Sequence, residues 1–200
     1  MRRFGFMALS ALVLVGAGCA PVAQEKNPLT FSYPDQEEKT TMPSWEFPGV
    51  LSQEAIANKQ IRISTAKGEI VFDVFADTAP ATVSNFVYLT QGGYYNGLTF
   101  HRREEGFVIQ GGDPNGNGTG GPGYEFADEL ADNYSYERGI VAMANHGSDT
   151  NGSQFFIMLG DTPLPKAYTI FGRVTEGMDV VDAIAVGDVM TTVVVEETIQ

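Results

Sequence analysis

Short runs of alternating apolar and polar residues dominate the chain from about residue 59 onward, and glycine-rich turns separate them. The clearest case is IRISTAKGEIVFDVF, in which apolar residues alternate on both sides of a turn at Lys67-Gly68. Alternation with a period of two around such a turn predicts a β-hairpin. The same pattern predicts further strands, over 98–110, 139–144, 155–159, 170–174 and 191–199.

Two segments have a helical pattern instead. In DTAPATVSNFVYLTQGG, Asp77 or Thr78 is predicted to cap a helix that begins at Pro80 and ends at Gly92. A second short helix fits residues 176–185. Many short antiparallel strands with two helices favour a mainly β protein that forms a closed barrel. Closure removes the exposed sheet edges, and the helices can cover the open barrel ends.

The N-terminal residues 1–19 have the layout of a secretory signal peptide. Arg2 and Arg3 precede an apolar run that is shorter than the roughly 20 residues needed to span a bilayer. The ending GAGC resembles a bacterial lipobox, although Gly16 stands where that motif usually has leucine. We expect lipidation at Cys19 and a lipid anchor in the bacterial cell envelope, on the periplasmic or extracytoplasmic face. The alternative is an ordinary signal peptide that is cut elsewhere.

Composition changes between the signal and the predicted strands. Residues 20–58 are rich in proline and acidic side chains and lack a sustained apolar period, which is typical of a tether. Trp45 and Phe47 near its end are candidates to dock onto the domain predicted over residues 59–200. No cysteine follows Cys19, so this domain contains no disulfide.

The net charge and the residues around several short motifs argue against some classes of ligand. The net charge of −13 argues against a nucleic-acid partner. Two histidines and one cysteine offer no cluster for a transition metal. The run GNGTGG matches a dinucleotide fingerprint, but Pro114 and Pro122 exclude the helix that it requires. The loop DPNGNG lacks a calcium-binding acid at its twelfth position, which is Tyr124. These observations argue against a transition-metal site, a dinucleotide site and a calcium site.

Four segments occur in order along the domain: FHRREEGFVIQGGD, GTGGPGYEFADE, MANHGSDTNGSQFFI and FGRV. Together they make residues 60 to 200 resemble the cyclophilin family of peptidyl-prolyl cis-trans isomerases. The resemblance implies an eight-stranded antiparallel barrel capped by two helices. It also implies rotation of X–Pro bonds in proline-containing polypeptides. Because this reaction makes and breaks no covalent bond, we expect no metal and no cofactor.

The resemblance assigns the catalytic role to Arg102. A guanidinium near the prolyl nitrogen draws on the lone pair of the twisted amide and so favours the transition state. Arg103 is interpreted as a surface charge. The resemblance also implies a set of substrate-binding residues: Phe107, Val108, Phe156 and Leu164 lining the proline pocket, Tyr168 on its wall, Gln110, Asn145 and Ala144 holding the substrate chain, and Gln154 supporting the site and positioning Arg102.

Each of these residues also has a simpler interpretation. Phe107, Val108 and Phe156 could be ordinary core residues, and Asn145 could be a turn residue. Pro163 lies near the position of a tryptophan that many family members use to bind cyclosporin, so we expect weak inhibition by that drug.

Two functions remain open at this stage. The first is a monomeric isomerase that assists the folding of exported proteins. The second is a chaperone or scaffold module that binds proline-containing segments with little turnover. The presence of Arg102, Phe107 and Gln110 favours the enzyme.

Overall fold

The computed structural model describes residues 44–198. The predicted signal peptide, the lipidation site Cys19 and the tether up to residue 43 lie outside the described residues. Within them the helices are α1 (Gln53–Ile56), α2 (Pro80–Gln91) and α3 (Met178–Ala183). The strands are β1 (Lys59–Thr65), β2 (Gly68–Val74), β3 (Arg102–Glu104), β4 (Val108–Gly111), β5 (Ile140–Met143), β6 (Phe155–Met158), β7 (Ile170–Glu176) and β8 (Thr192–Glu197).

All eight strands form one curled antiparallel sheet in the order β3-β4-β6-β5-β7-β2-β1-β8, which confirms the predicted strand number and direction. The end strands β3 and β8 are not joined by a ladder in the described chain. The segments that precede them are joined instead: Phe100 N donates to Asp188 O at 2.9 Å, and Met190 N donates to Leu98 O at 2.8 Å. Short segments, rather than a continuous strand pair, therefore close the predicted barrel.

Two local predictions were wrong. The strand predicted over 98–110 is divided into β3 and β4, because the chain turns at Gly106, which adopts a φ of 69°. Neither Asp77 nor Thr78 caps α2; its N-cap is Ala79, which makes no side-chain cap hydrogen bond. The carboxylate of Glu129 accepts hydrogen bonds from the first backbone N–H groups of α2 instead, at 3.0 and 2.8 Å.

The alternation along the strands produces two apolar clusters on opposite faces of the sheet. In β6, Phe155 and Ile157 join the main core, which packs against α2, whereas Phe156 and Met158 face the other way. We call that other group the second cluster. Its buried members are Val108, Tyr136, Ile140, Ala142, Phe156, Met158 and Ile170. A sheet that is apolar on both faces can bury its core on one face and form a site on the other.

Residues before β1 also pack on the domain. The Trp45 ring meets the rings of Tyr88 and Tyr94 edge-on, at centroid distances of 5.6 and 5.5 Å. The Phe47 ring stacks on that of Phe126 at 4.9 Å. The docking of these two aromatic residues is therefore observed. No helix among residues 44–198 has both the length and the apolar character needed to cross a membrane.

Candidate active site

The predicted proline-pocket residues come together in the second cluster. Val108 and Phe156 are buried in it, while Phe107 and Leu164 are partly buried and pack at its margin. The ring of Tyr168 lies edge-on to that of Phe156, with the centroids 5.6 Å apart. Antiparallel pairing of β4 with β6 places these strands side by side. The result is an apolar surface that is accessible at one margin, as a proline ring would require.

A relay of three polar side chains runs beside this apolar surface. Arg102 Nη1 donates to Gln110 Oε1 at 2.9 Å, and Gln110 Nε2 donates to Gln154 Oε1 at 2.9 Å. The amide of Gln154 in turn donates to the carbonyls of Gly118 and Gly120, at 3.0 and 2.9 Å. The relay therefore fixes the guanidinium to a loop on the other side of the site.

Strand register explains why Arg102 and Gln110 meet. The two residues lie directly opposite each other in the β3–β4 pair, so their side chains point to the same face of the sheet. Gln110 in turn lies opposite Phe156 in β6. Gln154 was predicted to position Arg102, and the structure connects the two only through Gln110.

The guanidinium of Arg102 remains partly accessible. Its Cζ lies 5.9 Å from the centroid of the Phe107 ring, and Nη2 pairs with Glu104. The side chain is 42% exposed. Arginine has five N–H donors, of which these contacts with described residues use two, so the others can reach a bound peptide. The site therefore has a fixed cation at the margin of an apolar surface.

Arg103 is more than the surface charge that was predicted. Its Nη1 donates to the carbonyl of Ile184, just after the last turn of α3, at 2.8 Å, and its side chain is only 20% exposed. Opposite Ile109 in the sheet, it points to the face away from Arg102. A cation at a helix C-terminus satisfies a free carbonyl and complements the helix dipole. Arg103 thus stabilises α3.

Ala144 and Asn145 border the relay. The side-chain amide of Asn145 donates to Ala167 O at 2.8 Å, so it holds a neighbouring loop. The carbonyl of Ala144 and the backbone N–H of Asn145 have no hydrogen-bond partner among residues 44–198. These backbone groups, more than the asparagine side chain, are available to an extended peptide.

A cavity of about 570 Å³ continues from the relay past Gln154. Its walls include Ala144, Tyr124 and Ser153. Tyr124 was not predicted as a site residue, although it lies in GTGGPGYEFADE, one of the segments that carried the family resemblance. That segment could have indicated a second compartment beside the proline pocket.

Tyr136 is a further residue that sequence reasoning missed. Its hydroxyl donates to Tyr168 O at 2.8 Å and accepts from Tyr168 N at 3.1 Å. Burial raises the pKa of Tyr136, so its hydroxyl stays protonated and can donate at neutral pH. Tyr136 therefore fixes the backbone of Tyr168, the predicted pocket wall. No sequence signal pointed to this contact between residues 32 positions apart.

Among residues 44–198, no three His, Cys, Asp or Glu side chains lie close enough together to bind a metal ion. The groups that this site offers to a ligand are the apolar surface, hydrogen-bonding groups and the Arg102 charge.

Comparisons with known proteins identify the family of the chain. The family profile described as "Cyclophilin type peptidyl-prolyl cis-trans isomerase/CLD" matches residues 60–200. A peptidyl-prolyl cis-trans isomerase of Helicobacter pylori is 49% identical over 136 residues, covering 66% of this chain and 83% of the relative. Peptidyl-prolyl cis-trans isomerase B of Bacillus subtilis is 48% identical over 130 residues, covering 64% of this chain and 91% of the relative.

A crystal structure of a Cryptosporidium parvum cyclophilin-type isomerase superposes with a TM-score of 0.65 at 34% identity, covering 70% of this chain and 98% of the other. A second structure of that protein was obtained in the presence of the dipeptide Ala-Pro, with a TM-score of 0.64. The chain belongs to the family of cyclophilin-type peptidyl-prolyl cis-trans isomerases. It is accordingly an enzyme that interconverts the cis and trans forms of the peptide bond before proline.

Proposed function

We propose that the chain isomerises X–Pro bonds of exported polypeptides at the margin between Arg102 and the second cluster. The observation that carries the site assignment is the 2.9 Å hydrogen bond from Arg102 to Gln110, which holds a cation beside Phe107 and the buried Phe156. The proline ring packs on the aromatic surface, and the guanidinium approaches the prolyl nitrogen.

The rate enhancement comes from electrostatics and positioning. Rotation about the peptide bond has a barrier of about 18–20 kcal/mol, and uncatalysed X–Pro exchange takes tens to hundreds of seconds. Shortening ~100 s to ~1 ms needs a factor of about 10⁵, which corresponds to ~7 kcal/mol. A donor that the relay already fixes loses little energy in reorganisation when the amide twists. It therefore stabilises the twisted state more than either planar state.

The substrate chain extends from the proline pocket towards the large cavity. The free backbone groups of Ala144 and Asn145 hydrogen-bond the peptide, as a sheet edge does, and Gln110 contributes a side-chain amide. This arrangement fixes the residues on each side of the twisting bond, so only that bond rotates. The Ala-Pro dipeptide used with the Cryptosporidium parvum relative supports proline-containing ligands for this chain.

The export part of the proposal rests on the sequence. The signal-like residues 1–19 and the lipobox-like ending at Cys19 support a lipid anchor in a bacterial cell envelope. Two of the similar enzymes come from bacteria, which supports a bacterial source. The anchor places the isomerase, acting as a monomer, at the extracytoplasmic face of the membrane, where newly exported chains fold.

Two experiments test the proposal. A protease-free isomerisation assay on an X–Pro peptide is expected to show turnover that Arg102→Ala loses almost entirely. Turnover that is unchanged by this substitution would place the catalytic residue elsewhere, whereas little turnover in the wild-type chain itself would favour the chaperone or scaffold function. For location, the wild-type chain is expected in the membrane fraction and Cys19→Ser in the soluble fraction. Equal membrane retention of both chains would contradict lipidation at Cys19.

A further inference from the structure

The segment of residues 44–51, which we call the strap, crosses the domain before α1. The family profile begins at residue 60, so the strap lies before the range that the profile matches. Three contacts hold it. Trp45 fills the space above Gly92, where an added Cβ would lie 2.3 Å from the indole. Leu51 N donates to Ser84 Oγ in α2 at 2.9 Å, and Phe47 stacks on Phe126.

Both aromatic residues of the strap contact residues that support the large cavity. Trp45 packs on Tyr94, whose hydroxyl lies 3.0 Å from Ser153 Oγ, and Ser153 lines the cavity. Phe47 contacts Tyr124 directly, with centroids 5.9 Å apart and rings tilted by 54°. Tyr124 is itself part of the cavity wall. The strap thus reaches the cavity by two separate routes.

The wall that Phe47 covers is held together as one unit. The hydroxyl of Tyr124 donates to Asn85 Oδ1 at 2.7 Å, and Asn85 Nδ2 donates to Gly152 O at 2.8 Å. Phe126 and Asn151 exchange backbone hydrogen bonds of 2.9 and 3.2 Å. A change in the position of Tyr124 or Phe126 therefore affects residues 151–153, of which Gly152 and Ser153 line the cavity.

We propose that the strap is a positioning element that sets the selectivity of the isomerase for the residues flanking proline. The proposal rests on the function proposed above, because it takes the large cavity as the site for a flanking side chain. With Phe47 in place, Tyr124 contacts the strap on one side and hydrogen-bonds to Asn85 of α2, so the cavity keeps its shape. Peptides that place a bulky side chain beside proline need this wall, whereas peptides with glycine there do not.

Removal of the Phe47 ring should act on selectivity more than on catalysis. Phe47 is 36% exposed, and its aromatic contacts among the described residues are with Tyr124 and Phe126, which are not part of the Arg102 relay. Its loss removes the stacked partner of Phe126 and the tilted partner of Tyr124, and Tyr124 gains freedom to move towards the cavity. The fixed donor at Arg102 stays in place, so the chemical step is preserved.

The test measures kcat and KM for a panel of X–Pro peptides in which one flanking position at a time carries phenylalanine or glycine. In the full-length Phe47→Ala chain, KM should rise about threefold to tenfold for at least one peptide that carries phenylalanine at a flanking position. The KM of the peptide with glycine at that position should stay within about twofold of the wild-type value. Phe47→Tyr should restore the wild-type ratio. Ile61→Val in β1 serves as the matched control, because it lowers Tm through the main core and leaves the Phe47 ring and its contacts with Tyr124 and Phe126 in place.

A lowered Tm in Phe47→Ala with the same bulky-to-glycine ratio as wild type and Ile61→Val would show a merely structural strap and overturn the proposal. A uniform fall in kcat on all peptides would overturn it as well. The same panel on Arg102→Ala separates the two claims. Failure of the proposed site appears there as unchanged kcat, whereas failure of the strap proposal appears as an unchanged ratio in Phe47→Ala.

Discussion

Arg102 and Gln110 face each other across the β3–β4 pair, and the amide oxygen of Gln110 accepts a hydrogen bond from Arg102 Nη1 at 2.9 Å. The nitrogen of the same amide donates to Gln154. One glutamine therefore connects the cation to the protein interior. The orientation of Arg102 depends on this contact, because its other polar contact among the described residues is with the exposed Glu104.

The first prediction concerns this contact. Gln110→Ala should lower kcat/KM about tenfold to a hundredfold, because an arginine without its anchor samples unproductive positions. Gln154→Ala should cost less, about threefold to tenfold, since Gln154 reaches Arg102 only through Gln110. Steady-state kinetics on an X–Pro peptide measure both. A larger loss in Gln154→Ala than in Gln110→Ala would show that the relay is not ordered in this way.

The second prediction uses the single tryptophan of the chain. Gly92→Ala should displace Trp45, because the new Cβ would lie 2.3 Å from the indole. The tryptophan emission should shift to longer wavelength, and the free energy of unfolding should fall by about 1–3 kcal/mol. Gly121→Ala is the matched control, since nothing lies within 4 Å of its added Cβ. Identical spectra for the two variants would mean that Trp45 is not seated on Gly92.

The third prediction is a pH dependence of stability. Burial lowers the pKa of His101 below 6.5. The negative charge of Asp113 partly offsets this decrease, and the positive charge of Arg102 adds to it. Both ring nitrogens are buried without a hydrogen-bond partner among the described residues. The pKa of His101 is lower in the folded chain than in the unfolded chain, so protonation favours unfolding. The free energy of unfolding is therefore unaffected by His101 above about pH 6.5, and it falls as the pH drops from there towards the folded-state pKa.

Urea unfolding between about pH 7.5 and pH 4.5 measures this loss. His101→Asn should remove most of the dependence in that window. Asp113, whose pKa is lowered below 3.8 by backbone hydrogen bonds that outweigh burial, contributes only at lower pH. An equal pH dependence in wild type and His101→Asn would assign the effect to other groups.

The fourth prediction concerns cyclosporin. Pro163 is exposed beside Leu164 and offers no indole to the drug, so inhibition should be weak. Isomerase assays with increasing cyclosporin measure it, and Pro163→Trp should tighten inhibition relative to wild type. Inhibition of the wild-type chain at low nanomolar drug would contradict the role given to this position.

Local patterns predicted the fold because they depend on neighbours in sequence. The alternation around Lys67-Gly68 predicted β1 and β2, and it fixes which side chains share a face. The division of Leu98–Gln110 into two strands depended on one backbone angle at Gly106, which the alternation does not contain. Family motifs, rather than periodicity, selected Arg102, Phe107 and Gln110 as site residues.

Contacts between distant residues could not be predicted in the same way. Glu129 caps α2 from 47 positions beyond Thr82, and it replaced a local cap that the sequence favoured. Arg103 was interpreted as a surface charge, and its contact with the carbonyl of Ile184, 81 positions away in sequence, could not be predicted from local patterns. Such pairings follow from the packing of the whole domain, where satisfying a buried polar group outweighs local preference.

The most direct test of the central claim compares two adjacent arginines on β3. Arg102→Ala should lower kcat/KM about 10²- to 10³-fold in a protease-free X–Pro assay, as expected for removal of a donor fixed near developing charge. Arg103→Ala should stay within about twofold of wild type while lowering Tm, because its side chain serves α3 on the opposite face. If folded Arg102→Ala turns over at the wild-type rate, or if Arg103→Ala loses as much activity, Arg102 is not the catalytic residue.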